Sequence, residues 1–251
     1  MQLQENMRII SIKELVDQVY EIVLQGSVAK MIGAPGQFIN IKIGDGLHPY
    51  LRRPMSVCDY TEDTITCIFK VVGEGTEYLA TKKIGDYLDC LVGLGNGFTL
   101  QTKGKALLIG GGLGTPPLYG LGKRLQKQGI EVTTVLGFRS QSDIFYKEAF
   151  ESLGPVYVAT MDGSQGVKGT VLDAINEHSL SFDQYYSCGP EAMLLSLVTS
   201  FPDHGQVSLE TRMGCGFGAC MGCSCKVKNA PYKRICVEGP VLAASEVIVH
   251  G

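Results

Sequence analysis

Across residues 1 to 100 the apolar positions come in short bursts, each closed by a turn residue. QVYEIVLQG (18–26), GQFINIKIGDG (36–46), MSVCDY (55–60), TITCIFKVVGEG (64–75) and YLDCLVGLGNG (87–97) are rich in Val, Ile, Phe and Tyr and end at Gly, Asp or Asn. Short runs of this kind predict the strands of an antiparallel β-sandwich or barrel. Only TEYLATKKIG (76–85) reads as a helix there.

From Lys105 the rhythm changes. KALLIGGG (105–112) reads as a strand, TPPLYGLGKRLQKQG (115–129) as a helix with proline early and glycine after its end, and EVTTVLGF (131–138) as a further strand. A helix over DIFYKEAFESLG (143–154), a strand in VYVATMDG (156–163), a helix in GTVLDAINEH (169–178), a strand in DQYYSCGP (183–190) and EAMLLSLVTSF after it complete the series. Alternating strands and helices predict a parallel α/β sheet. After Gly205 the alternation stops and the chain becomes rich in glycine and cysteine. The expectation is a multi-domain chain divided into residues 1–102, 103–205 and 206–251.

Composition narrows the partners. The chain has 251 residues, 45% of them hydrophobic, and a formal net charge of -3. It is long enough to bury a sizeable core. With no run of lysine or arginine it offers no attraction to a nucleic-acid backbone. The first 26 residues lack a signal-peptide pattern, and nowhere do about 18 apolar residues run together. The expectation is a soluble, cytoplasmic protein with no membrane partner. Nine cysteines in a reducing compartment are not expected to form disulfides. Cys58, Cys67 and Cys90, in strand-like surroundings, read as small buried hydrophobes.

Two glycine-rich turns carry candidate chemistry. In IGGGLGTPPLYGL, the bare backbone at Gly110, Gly111, Gly112 and Gly114 lets a ligand approach, and the helix that follows through Thr115 and Pro116 offers free N–H groups to a pyrophosphate. Pro117 takes the place of the last glycine of G-x-G-x-x-G, and a turn that binds nothing fits equally. The second turn, Cys188-Gly189-Pro190, ends a later strand. In an open parallel sheet both turns could face one crevice; alternatively Cys188 is simply a buried small residue. In LRRPMSVCDY, Arg53 could grip a phosphate and Ser56 could bond a heterocycle, or the arginines could be solvated on a barrel rim. Gly75 and Thr76, before the one helix of this region, suit an anion nest or a plain capped turn.

The cysteines after Gly214 are more specific. Cys215, Cys220 and Cys223 stand in C-x4-C-x2-C spacing, the register of plant-type 2Fe-2S loops, and Cys236 follows as a fourth. Cys225 is the spare. A four-cysteine zinc site usually pairs two tight knuckles, and here there is only one.

With RRPMS, KVVGEGT, GLGNGF, GGGLGTPPLYGL, CGPEAML and ETRMGCGFGACMGCSCKV followed by YKRICVEGPV in this order, the chain resembles the ferredoxin-NADP reductase superfamily. Within it, the chain is most similar to the electron-transfer subunits of B-type bacterial dihydroorotate dehydrogenases. The resemblance implies an FAD-binding β-barrel (1–102), an NAD-binding α/β domain (103–205) and a small 2Fe-2S domain (206–251). It places Arg53, Pro54, Met55 and Ser56 against the flavin and its phosphates, with Met55 where relatives often carry an aromatic residue. Ile68, Phe69 and Lys70 extend that site, and Gly75 and Thr76 contact the pyrophosphate. Gly110 to Gly114, Thr115, Pro116 and Cys188 to Pro190 frame the nicotinamide nucleotide. Cys215, Cys220, Cys223 and Cys236 hold the cluster.

NAD rather than NADP comes from the resemblance alone, since Arg139 stands where a 2'-phosphate could bind and no acidic residue is obvious at that strand end. The resemblance further implies a relay. A separate FMN-containing catalytic subunit oxidises dihydroorotate, and electrons pass through 2Fe-2S and FAD to NAD in pyrimidine (UMP) biosynthesis, in a heterotetramer of two plus two. No side chain is needed as a general base. The alternatives are a diaphorase subunit of another ferredoxin-, hydrogenase- or sulfide-linked complex and, from a different class, a zinc-stabilised binding module.

Overall fold

The computed structural model describes residues 3–44 and 49–248. Residues 1, 2, 45–48 and 249–251, which belong to the first and third expected parts, lie outside the described residues.

The first part is a closed six-stranded barrel. Strands β1 (Leu3–Val16), β2 (Val19–Gln25), β3 (Phe38–Ile41), β4 (Arg53–Tyr60), β5 (Thr64–Lys70) and β6 (Tyr87–Leu94) follow the order β1-β2-β5-β4-β3-β6. Every observed pairing is antiparallel. Alternation decides which side chains enter: in β6, Leu88, Cys90, Val92 and Leu94 are buried while their neighbours are less so. Leu88, Cys90 and Val92, with Ile22, Leu24, Ile39, Ile41 and Ile65, fill the barrel, each large aliphatic side chain contributing roughly 1.5–3 kcal/mol; Leu94 packs instead into the core shared with the sheet. Cys58, Cys67 and Cys90 are buried free thiols, and burial pushes Cys90 up to about 12 and Cys58 and Cys67 well up. Helix α1 (Glu74–Ala80) bridges β5 and β6.

Sequence reading assigns no strand before Gln18, yet β1 is the longest in the molecule. Its apolar alternation is broken by irregular pairing between Ile9 and Ser11 and between Glu14 and Val16, and each such bulge moves the inward face by one residue.

The second part is a seven-stranded sheet. Strands β7 (Lys105–Gly111), β8 (Glu131–Phe138), β9 (Val156–Thr160), β10 (Val167–Lys168), β11 (Gln184–Cys188) and β12 (Gly205–Ser208) run parallel, in the order β10-β9-β8-β7-β11-β12. Helices α2 (Pro116–Lys127), α3 (Lys147–Glu151), α4 (Val171–Glu177) and α5 (Glu191–Ser200) connect them. The helix expected over residues 143–154 shrinks to α3. Ile144 is extended and Tyr146 adopts φ 62, because Phe145 packs against Phe138 and the Tyr146 hydroxyl donates to Glu21 of the barrel.

The sheet also crosses the expected division at residue 205. Strand β12 pairs with β11, and its other edge pairs antiparallel with the last strand, Val241–Ala243. The cysteine-rich segment between them carries a two-stranded ribbon, β13 (Ser224–Val227) and β14 (Ala230–Arg234), which makes Val241–Ala243 β15. The segment is thus an excursion from the sheet. Asn96, just after β6, fastens its return: Nδ2 donates to Glu238 O and Val241 O at 3.1 and 2.8 Å, and Oδ1 accepts from Val241 N at 3.0 Å.

Barrel and sheet meet where α2 lies on β4. A Cβ at Gly120 would stand 2.8 Å from the Cys58 carbonyl oxygen, so glycine lets helix and strand backbones approach. In a free helix Gly→Ala gains about 1 kcal/mol. Here the obstacle is strand backbone, which cannot swing aside, so Gly120→Ala is expected to cost about 1–2 kcal/mol net in urea unfolding. Gly122→Ala, which meets only the ends of Leu153 and Leu108, is expected to cost less.

Candidate functional site

A cleft of about 320 Å³ opens between barrel and sheet. Its barrel wall comprises Arg53, Pro54, Met55, Ser56, Ile68, Phe69, Lys70 and Thr76, so neighbouring strands β4 and β5 bring the two expected flavin segments together. Gly75 lies against the same wall. A Cβ there would fall 2.5 Å from Arg53 Nε, and its absence leaves space for the guanidinium. The Thr76 hydroxyl accepts from Val72 N at 2.8 Å and donates to Gly73 O at 2.9 Å. Its single proton is committed to the turn, so in this arrangement it does not donate to a phosphate.

Of the opposite wall, sequence reading named Pro116 alone as a site residue, and placed it with the nicotinamide nucleotide. Leu113 and Pro116 come from the first glycine turn, Ser208, Glu210 and Met213 from the stretch after β12 begins, and Pro240 from the approach to β15. Pro116, expected beside the nicotinamide nucleotide, therefore lines this cleft. No local pattern brings Ser208, Glu210, Met213 and Pro240 to this wall, because their meeting with the glycine turn depends on the sheet continuing past residue 205.

A second cleft, of about 340 Å³, lies beyond the carboxyl ends of β7, β8 and β9, where open α/β sheets take ligands. Of the residues expected there, Gly111, Gly112 and Pro190 line it. Gly112 has φ +51 and nothing within 4 Å of its absent Cβ, so its bare backbone faces open space. Gly110, Gly114, Thr115, Cys188 and Gly189 are not on the lining. They pack the two turns together: a Cβ at Gly114 would lie 2.2 Å from Cys188 O, and one at Gly110 would lie 2.8 Å from Thr115 Oγ1. Thr115 and Cys188 are buried, and burial pushes the Cys188 thiol up to about 12.

Arg139 lines the second cleft as expected, together with Asp143, an acid that sequence reading did not single out. The Asp143 carboxylate accepts from Ser140 N at 3.1 Å and Ser140 Oγ at 2.9 Å. Lys70 and Leu113 line both clefts. The two share a wall.

The cysteines form two pairs. Cys215 N donates to Cys220 Sγ and Cys220 N to Cys215 Sγ, at 3.5 and 3.4 Å, while Cys223 Sγ and Cys236 Sγ stand 3.2 Å apart. Among the described residues no three His, Cys, Asp or Glu side chains gather as ligands of one ion. Two-and-two grouping suits a centre of two irons with two thiolates each, whereas tetrahedral zinc requires four ligands around one point. Cys225, on β13, packs its half-buried side chain against the sheet core.

Backbone amides reinforce this grouping. Burial works against ionisation of Cys215, but N–H groups of Phe217, Cys220 and Ala219 and the Cys220 thiol outweigh it and bring the thiol down to about 6. Burial and the adjacent Cys223 push Cys236 up to about 12. Side chains from outside hold the loop's carbonyls: Asn40 Nδ2 donates to Cys215 O and Arg234 Nη1 to Gly218 O, both at 3.1 Å.

Comparison with known proteins agrees with this layout. Residues 210–248 match the iron-sulfur cluster binding domain of dihydroorotate dehydrogenase B, and residues 108–198 match the oxidoreductase NAD-binding domain. The dihydroorotate dehydrogenase B (NAD(+)) electron transfer subunit of Geobacillus sp. (strain WCH70) is 45% identical over 254 residues, 98% of this chain and 99% of that protein. The corresponding subunit from Bacillus cereus (strain B4264) is 43% identical over 256 residues, again 98% and 99%. A solved chain of an NADH-dependent reduced ferredoxin-NADP oxidoreductase, studied for flavin-based electron bifurcation, superposes with a TM-score of 0.88 at 30% identity, covering 97% of this chain and 90% of that one. A ferredoxin NADP+ reductase from Neisseria gonorrhoeae, with bound FAD and NADP, shares the fold at 15% identity and a TM-score of 0.68, covering 83% and 94%. No helix among the described residues is long and apolar enough to cross a membrane. Near-full-length identity, a shared-wall pair of clefts and two-and-two cysteines together show that the chain belongs to the family of dihydroorotate dehydrogenase B (NAD(+)) electron transfer subunits.

Proposed function

We propose that this chain passes electrons to NAD from a catalytic partner subunit that oxidises dihydroorotate to orotate at FMN, in pyrimidine biosynthesis. The observation that carries this reading is the serial arrangement of the sites. The nucleotide cleft shares Lys70 and Leu113 with the flavin cleft, and the flavin cleft is lined by Met213, two residues before the first paired cysteine. When bound, the cluster supplies one-electron transfer, FAD the interchange between single electrons and a pair, and NAD the acceptance of a hydride.

The chain's own residues bind and orient. Arg53, on the lining beside Gly75, supplies the fixed cation for the flavin phosphates, and Ser56 offers its hydroxyl to the ring on the same strand. Met55 and Phe69 give apolar surface, and Lys70 places positive charge where the two dinucleotides adjoin. Gly111, Gly112 and Pro190 let the nicotinamide nucleotide approach the sheet, while Gly110, Gly114, Thr115, Cys188 and Gly189 fix the turns that present it. Cys215 with Cys220 and Cys223 with Cys236 are the two thiolate pairs. In this reading residues 1–102 serve FAD, 103–205 NAD and 206–251 the cluster, with the sheet spanning the last two. The protein works in the cytoplasm.

Partner docking falls on the cysteine loop. Cys220 is exposed, and Phe217, Met221 and Tyr232 on the same segment expose 44%, 55% and 57% of their surface. Apolar side chains grouped around an exposed redox ligand suit a subunit interface, and two copies of each subunit form the complex.

The primary test is the anaerobic visible spectrum of the chain reconstituted with FAD, iron and sulfide, recorded before and after NADH. Flavin bands on a broad cluster absorption, bleached by NADH, are expected; a featureless spectrum would overturn the reading. Cys220→Ser is expected to abolish stoichiometric iron and the cluster absorption while retaining NADH-driven flavin bleaching, and Cys225→Ser to leave all three intact. Arg53→Ala is expected to weaken FAD binding about 10- to 100-fold, the loss of a charge-assisted hydrogen bond, read by equilibrium dialysis.

A further inference from the structure

Strand β3 is buried along its whole length, and three of its four residues are Phe38, Ile39 and Ile41. The fourth, Asn40, is only 1% exposed. Its Nδ2 reaches out of the barrel to the Cys215 carbonyl, 3.1 Å away. Its Oδ1 is buried with no hydrogen-bond partner. A half-satisfied amide is a poor filler for an apolar wall, so its presence there calls for another role.

The surroundings supply one. A Cβ at Gly216 would lie 2.4 Å from Asn40 Nδ2, and Gly216 holds φ +77, so the loop is moulded around this amide. Across the strand pair Asn40 sits opposite Pro54, within the segment that lines the flavin cleft. Its own backbone is clamped in turn: Arg52 Nη1 donates to Asn40 O at 3.2 Å and to Asp89 O at 2.9 Å, and Arg52 Nη2 pairs with Asp89 Oδ2 at 2.8 Å. A continuous path therefore runs from the strand beside the flavin motif, through one side chain, to the peptide that follows the first paired cysteine.

We propose that Asn40 is a positioning residue for electron transfer between flavin and cluster. By holding the Cys215 carbonyl outward it keeps the following N–H groups turned toward sulfur, and it fixes the loop's distance from the flavin-binding strand. Hydrogen bonds to sulfur and ligand orientation both tune such a centre. The inference rests on the proposed function and adds a determinant of its transfer step.

The test compares wild type, Asn40→Leu and Asn40→His in the full chain, reconstituted anaerobically with FAD, iron and sulfide. In Asn40→Leu, cluster reduction after NADH has reduced the flavin is expected to slow about tenfold, with a shifted cluster potential and altered electron paramagnetic resonance, while reduction of the flavin by NADH keeps its rate. In the cluster-free chain, hydrogen exchange over residues 215–220 is expected to rise in Asn40→Leu. Asn40→His, which keeps an N–H donor, is expected to restore all of these toward wild type. Wild-type potential, resonance, transfer rate and exchange in an Asn40→Leu protein with full FAD and iron would overturn the proposal. Should that variant not fold, Asn40→Val, a smaller β-branched residue suited to a strand, removes the donor and is judged by the same readings. A wild-type chain that takes up no cluster would instead strike the proposed function, a result distinct from an indifferent Asn40 variant.

Discussion

Helix α2 rests on strand β4 with no side chain between them at Gly120, and the relation of the two clefts follows from that contact. A wider gap would part the barrel wall of the first cleft from the glycine turn that supplies Leu113 and Pro116 to the same cleft. The flanking contacts refine the fit without setting it. Lys123 pairs with Asp59 at 2.5 Å, and the Arg124 guanidinium lies 4.5 Å from the centre of the Tyr60 ring. The Lys123 and Asp59 side chains are 45% and 27% exposed, and ion pairs so open to water contribute little. The close backbone approach sets the spacing, and the Tyr146–Glu21 hydrogen bond closes the far side.

The cysteine loop obeys a different constraint. Sulfur needs N–H groups around it, and every peptide that points its N–H inward must send its C=O somewhere. Arg234 holds the Gly218 carbonyl, whose peptide turns the Ala219 N–H toward Cys215, Asn40 holds the neighbouring Cys215 carbonyl, and Arg234 is itself held by Glu238. The loop therefore depends on the barrel at one carbonyl and on the end of β14 at another. It is shaped by its surroundings as much as by its own glycines.

Much of this was legible in the chain. Five barrel strands announced themselves as Val- and Ile-rich runs ended by turn residues, β8 coincided with EVTTVLGF, and the four paired cysteines stood out by spacing. What escaped did so for physical reasons. β1 switches faces at its bulges, so no single alternation survives. Residues 143–146 resemble a helix start, but aromatic packing and the Glu21 contact draw them out of helical geometry. The far wall of the cleft between barrel and sheet is assembled from Leu113, Ser208, Met213 and Pro240, which no periodicity connects. Glycine turns were visible, yet only Gly112 among the positions discussed faces open space; Gly110 and Gly114 are small because protein fills the room beside them. Composition identifies a close approach without saying what approaches.

Strands β12 and β15 pair with each other while the whole cysteine-rich segment lies between them. For anyone recombining this protein with a relative, that pairing dictates the seams. A graft joined at Ser208 would leave β12 on the recipient and bring its partner β15 from the donor. A transferable cassette instead starts ahead of Gly205, ends after Ala243, and travels with Asn40, Asn96 and Thr99, residues of the first part that grip it.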